Sequence, residues 1–160
     1  MRIGVDVLAL GELDRLHTRG WFRQHTYDRE ELALAQSLSP SRAREFLAGR
    51  FAAKEAVLKV LGTGFGKGIS PAYVRVLRDN RSAPVVRLAG AAARRAAELG
   101  LGTIAVSIAH KDECVVAVAI GGAPDDADPG PEGPAEVTRI VLQKLAGSRA
   151  GIGKARNGNA

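Results

Sequence analysis

Residues 2–10 read RIGVDVLAL, a run of apolar and β-branched positions broken by one acid, Asp6. That pattern predicts a strand. In residues 11–22, Leu13, Leu16 and Phe22 share a helical face, which predicts a short helix. A second helix is expected over residues 28–38, where Asp28 is followed three residues later by Glu31, the spacing of a capping box. Ser39-Pro40-Ser41 then breaks the pattern, and either serine is placed to cap the helix that follows.

The longest periodic stretch is FLAGRFAAKEAVLKVL, residues 46–61, rich in helix formers and closed by a loop containing Gly62 and Gly64. At about 100° per residue, Leu47, Phe51, Leu58 and Leu61 form one apolar stripe, which Phe46 and Val57 widen. Lys54 falls near the middle of that stripe and Arg50 just inside its edge, while Glu55 and Lys59 lie together beyond Phe51. Two readings fit. Long stems carry their charges past a core, with Glu55 and Lys59 an ordinary i,i+4 pair. Alternatively, a half-buried helix presents one carboxylate and several cations to an anionic ligand.

Alternating patterns predict strands over residues 73–78 and 84–88, joined by the turn Asp79-Asn80-Arg81-Ser82. An alanine-rich helix over residues 91–99 is stopped by Gly100 and Gly102. Two further strands, residues 103–108 and 114–120, flank a short polar link containing His110. The predicted class is α+β, with antiparallel strands packed against the long central helix. Residues 122–134 hold four prolines among glycine and aspartate. The expected division is therefore a folded domain over residues 1–121 and a Pro/Gly-rich linker with a flexible tail over 122–160, carrying a short helix near 137–145.

Composition narrows the picture. A chain of 160 residues suits one domain with a tail, and 46% hydrophobic but only 4% aromatic residues predict an aliphatic core. The net charge of +6 lies entirely before residue 122, since five acids and five Lys/Arg beyond it cancel. The charge points to an anionic partner: nucleic acid, membrane surface, nucleotide-like substrate or acidic protein. The single cysteine, Cys114, excludes an internal disulfide and a multi-cysteine metal site, and its setting in ECVVAVAI predicts a buried core residue. His17 and His25 have no second ligand at metal-binding spacing and are expected at the surface. The apolar runs are too short for a membrane span, so the cytoplasm is the expected location. A nucleic-acid-binding module would need exposed rings among cations, and Trp21, Phe22 and Tyr27 beside the arginines are the candidate cluster.

Four blocks carry a resemblance. They are Gly4-Val5-Asp6-Val7, then FLAGRFAAKEA at residues 46–56, then Lys59 with Leu61-Gly62-Thr63-Gly64, and last Ser107-Ile108-Ala109-His110. In order and content they resemble the holo-[acyl-carrier-protein] synthases, the short class of 4′-phosphopantetheinyl transferases. The resemblance spans residues 2–120 and leaves the tail outside.

That resemblance implies the fold of the 4′-phosphopantetheinyl transferases. It also implies transfer of the 4′-phosphopantetheine arm from coenzyme A to a serine of apo acyl carrier protein, releasing adenosine 3′,5′-bisphosphate, in fatty-acid or polyketide synthesis. By carry-over, Asp6 and Glu55 bind magnesium, a hard cation that takes one or two carboxylates beside phosphate oxygens. Glu55 and Lys59 are the catalytic candidates, and either is the base that receives the serine proton. Arg50, Lys54, Lys59, Gly62, Gly64 and His110 are assigned to coenzyme A. Acyl carrier proteins are acidic, and Arg15, Arg19 and Arg23, recurring every four residues, are the expected docking face, to which Arg42 and Arg44 add. A homotrimer with active sites between subunits is also implied. Two departures stand out: Ala9 replaces a common family glutamate, and Ala109 replaces the hydroxyl residue before the histidine.

Overall fold

In the computed structural model, which describes residues 1–64 and 68–123, the 22-residue helix α4 (Pro40–Leu61) is the element around which the others pack. It begins one and a half turns earlier than the apolar periodicity predicts. Ser39 is its N-cap in extended backbone, without a side-chain hydrogen bond, and Pro40 opens the first turn, where a missing N–H costs nothing. That turn is polar and solvent-facing, so no hydrophobic spacing marks it. Gly62 ends the helix at φ 73°, a left-handed conformation that only glycine adopts without strain.

One face of α4 lies on a three-stranded antiparallel sheet in the order β1 (Arg2–Ala9), β5 (Cys114–Gly121), β4 (Ile104–Lys111). The register pairs Gly4 with Ala119 and Asp6 with Ala117 across β1 and β5, and Ile108 with Ala117 across β4 and β5. Alternation then puts Gly4, Asp6, Leu8, Val115, Ala117, Ala119, Val106 and Ile108 on the α4 side. The opposite face carries exposed Ile3, Val5 and Val7 beside half-buried Val116, Val118 and Ile120. Cys114 starts β5 on that outward parity and is exposed, so the expectation of a core cysteine is corrected.

The predicted helix over 11–22 is two short ones, α1 (Asp14–His17) and α2 (Gly20–Thr26), after a 3-10 turn at Leu10–Leu13. Arg19 takes an extended conformation between them, as the N-cap of α2. The helix α3 (Arg29–Gln36) has the expected capping box: the Asp28 carboxylate accepts from Glu30 N at 2.9 Å, and Asp28 N donates to Glu31 Oε2 at 2.7 Å. β2 (Val74–Arg78) and β3 (Pro84–Leu88) form the predicted hairpin, and α5 (Gly90–Glu98) follows it, packing against α4 and the 3-10 turn Pro71–Tyr73. The expected helix near 137–145 and the linker and tail lie outside the described residues, apart from Gly122 and Ala123.

Inside this frame Lys54 is fully buried on α4. Its ammonium pairs with Glu31 Oε2 at 2.7 Å and donates to the carbonyls of Pro71, at 3.2 Å, and Val74. Glu31 Oε1 accepts from Val76 N at 3.0 Å. One ion pair therefore ties α3, α4 and β2 together. Burial lowers the proton affinity of Lys54, and Glu31 opposes that shift. Glu31→Gln leaves an uncompensated buried ammonium and is expected to cost about 3–5 kcal/mol in urea unfolding. Adding Lys54→Met should recover much of that loss. Losses that simply add would show the two side chains to be energetically independent.

Candidate functional site

Asp6 faces α4 because of its parity on β1, and Gly4 sets how closely it approaches. A Cβ at Gly4 would meet Ala56 O at 2.0 Å and Lys59 Cβ at 3.0 Å, so β1 lies backbone to backbone against the helix. Glycine is required there by the close approach itself. Two residues further along the strand, Asp6 then lies beside the last turns of α4.

Lys59 Nζ donates to Asp6 Oδ1 at 2.9 Å and to Val5 O at 2.7 Å. The Asp6 side chain is 14% exposed and that of Lys59 46%, so the pair sits at the rim of the packed interior. Glu55, one turn before Lys59, is half-buried. Its proton affinity is raised above the usual carboxylate range by burial first and then by the charge of Asp6, with Lys59 opposing. No hydrogen bond holds its carboxylate among the described residues. Two carboxylates close enough to repel, with one ammonium between them, make an arrangement that a divalent cation would complete. Among the described residues no group of three or more His, Cys, Asp or Glu converges. The donor set is thus two carboxylates, which suits a hard ion that keeps waters and takes phosphate oxygens.

The other candidates are distributed along α4. Arg50 is only 5% exposed, and its Nε is buried without a hydrogen-bond partner among the described residues. Its guanidinium lies 4.4 Å from the Phe46 ring centroid, with that of Arg78 at 5.6 Å from the same ring. Burial, then the charge of Arg78, pushes the Arg50 proton affinity down to about 10, with Glu31 opposing. Two like charges over one ring leave room for an anion to relieve them. His110 on β4 lies against Gly49, where a Cβ would stand 3.0 Å from its Nε2, and this nitrogen is 3.1 Å from Glu45 O. Gly49 stands six residues before Glu55, roughly 9 Å along α4 at 1.5 Å of rise per residue.

Two of the residues expected to bind coenzyme A do other work. Lys54 spends its donors on Glu31, Pro71 and Val74 inside the protein, which leaves none for a phosphate. The amide of Gly62 donates to Lys59 O at 3.1 Å and closes the helix. Gly64, at φ 61°, has nothing within 4 Å of a would-be Cβ among the described residues.

Arg15, Arg19 and Arg23 are exposed and form no ion pair among the described residues. Arg44 differs, because it grips Asp14 through two hydrogen bonds, at 2.8 and 2.9 Å, and reaches Glu113 at 3.3 Å. Arg42 pairs with Glu45 at 3.3 Å. His17 is half-buried rather than on the surface, 2.7 Å from the Tyr27 hydroxyl. Of the three rings that a stacking platform would use, Phe22 and Tyr27 are buried and only Trp21 is exposed. An apolar groove of about 460 Å³ between β3, α5 and β4, lined by Val86, Leu88, Ala96, Leu101 and Ile104, holds none of these candidates.

Sequence reasoning missed three participants: Gly4 as a contact, Glu31 as the counter-ion of Lys54, and Arg78 beside Arg50. The signal for Glu31 was present, since a lysine in an apolar stripe demands a buried acid.

Residues 2–119 match the family described as the 4′-phosphopantetheinyl transferase superfamily. The chain is 38% identical over 120 residues to a holo-[acyl-carrier-protein] synthase of Desulfovibrio desulfuricans, covering 74% of this chain and 94% of that protein. It is 40% identical over 120 residues to one of Halorhodospira halophila, with coverage of 74% and 94%. The crystal structure of a holo-(acyl-carrier-protein) synthase from Bacillus anthracis in complex with CoA (3′,5′-ADP) superposes with a TM-score of 0.64. The sequence identity is 31%, over 76% of this chain and 96% of that one.

The raised proton affinity of Glu55 fixes the sign of a pH effect. Its charged form is disfavoured in the folded state, so in chelator the carboxylate lowers stability at neutral pH. That penalty disappears as pH falls through its folded-state titration. Glu55→Gln should therefore unfold at a higher temperature than wild type in chelator near pH 7, with the difference closing at acidic pH. An equal or lower melting temperature for the variant at pH 7 would contradict the assigned strain.

Proposed function

The chain belongs to the 4′-phosphopantetheinyl transferase superfamily, within its holo-[acyl-carrier-protein] synthases, and on that premise we propose how its own residues carry out the transfer. The arm of coenzyme A passes to a serine hydroxyl of apo acyl carrier protein. The serine oxygen bonds to the phosphorus that bears the pantetheine. The diphosphate bridge breaks, and adenosine 3′,5′-bisphosphate leaves. The observation that carries this reading is the convergence of Asp6 with Glu55 and Lys59, about fifty positions apart in the chain.

Asp6 and Glu55 are the residues to hold magnesium, which when bound would supply positive charge to the diphosphate oxygens. Lys59, half-exposed and already acting as a donor, is placed to turn toward a phosphate oxygen. Glu55 is the better placed acceptor for the serine proton, because its surroundings already favour protonation. Arg50, with an unpartnered nitrogen beside Arg78, is assigned to a coenzyme A phosphate, with His110 and Gly64 further along the same substrate. The Arg15, Arg19 and Arg23 surface receives the acidic carrier protein.

The exposed Ile3, Val5 and Val7 on the outer sheet face support self-association, and a homotrimer with sites between subunits is the assembly proposed. No helix among the described residues is long and apolar enough to cross a membrane, and we place the reaction in the cytoplasm. Residues 1–121 are assigned to the transferase domain, with 122–160 appended.

Incubation with coenzyme A, magnesium and an apo carrier protein should add one phosphopantetheine mass to the carrier. Asp6→Asn is expected to lower turnover by about 100-fold while leaving the melting temperature within a few degrees. Collapse of the fold in that variant would make Asp6 a structural acid. In a separate sedimentation experiment, Val5→Glu should shift the protein toward monomer. An unchanged sedimentation coefficient would remove the outer sheet face from the assembly.

A further inference from the structure

Trp21 has no role in the chemistry above, and its setting is unusual. It is 62% exposed, while Phe22, the ring it rests on, is buried. The indole packs edge to face on Phe22, centroids 5.9 Å apart at 89°. Phe22 is in turn fixed by Tyr27 at 6.4 Å and Phe51 at 6.1 Å. Phe51 lies one turn before Glu55 on α4, so this ring stack leads from the surface of α2 toward the turn that carries Glu55. Charge around it is one-sided. Residues 14–26 contain Arg15, Arg19 and Arg23 and a single acid, Asp14, which Arg44 already neutralises.

A large ring held in place by packing loses little conformational freedom on binding, and tryptophan flanked by arginines is the composition of an interface centre. We propose that Trp21 is the apolar anchor on which the carrier protein seats, its indole covered by an apolar side chain of the partner while the surrounding arginines meet the partner's carboxylates. The partner is acidic, matching three cations that form no ion pair among the described residues. It must also bring its serine hydroxyl to a phosphorus held near Glu55, matching the side of the molecule on which the stack emerges. This inference rests on the transferase reading and specifies how that site recognises its macromolecular substrate.

Trp21 is the only tryptophan, so its emission reports on this surface alone. The full-length chain is titrated with a tryptophan-free apo acyl carrier protein, and fluorescence, acrylamide quenching and phosphopantetheine transfer are followed together. The expected result is a saturable blue shift with reduced quenching. Trp21→Ala should raise KM for the carrier about tenfold and leave KM for coenzyme A unchanged, and Trp21→Phe should recover part of the loss. Unchanged emission at saturating carrier with transfer intact would overturn the anchor and spare the transferase reading. Absence of transfer by the wild type would overturn that reading itself. A blue shift that appears on concentrating the enzyme alone would assign Trp21 to contact between copies and likewise end the proposal. Trp21→Gln, checked by circular dichroism, serves if the alanine variant fails to fold.

Discussion

The buried ion pair of Lys54 with Glu31 holds the interior in register. Lys54 sits where the apolar stripe of α4 would otherwise take a leucine, and Glu31 reaches it from the first turn of α3. The same carboxylate completes the capping box at Asp28 and accepts from the amide of Val76. Every lone pair and proton that matters is therefore used, which is the condition under which a buried pair is tolerable. It joins two helices and a strand through one point, and it fixes the rotation of α4 about its own axis. That rotation decides where Glu55 and Lys59 emerge.

A second constraint is the contact at Gly4. Backbone against backbone is the closest that a strand and a helix can lie, and it brings Asp6 to the ammonium of Lys59. The arrangement is electrostatically unfinished. Glu55 is partly buried beside another carboxylate, and its proton affinity rises as a result.

Around that centre α4 sorts its polar groups by depth. Lys54 is internal, Arg50 is covered but has an unpartnered nitrogen, and Glu55 and Lys59 lie at the rim. The outer faces divide by chemistry as well. The far side of the sheet is aliphatic, suited to like surfaces, whereas α1 and α2 are basic with one exposed indole, suited to an acidic partner.

The order of strands and helices, the capping box at Asp28 and the stop at Gly62 were written in the sequence, because each depends on residues within a few positions of one another. The family was legible too, since FLAGRFAAKEA is long and the blocks occur in order. Other features required the tertiary structure. Whether Lys54 faced a ligand or a core turned on Glu31, which stands 23 positions earlier in the chain. Whether Cys114 lay inside turned on the register of β5, where one step exchanges the buried face for the exposed one. Periodicity tells how far a side chain points from its own helix axis or sheet plane. It cannot tell what stands opposite, because that partner is brought there by contacts between distant segments.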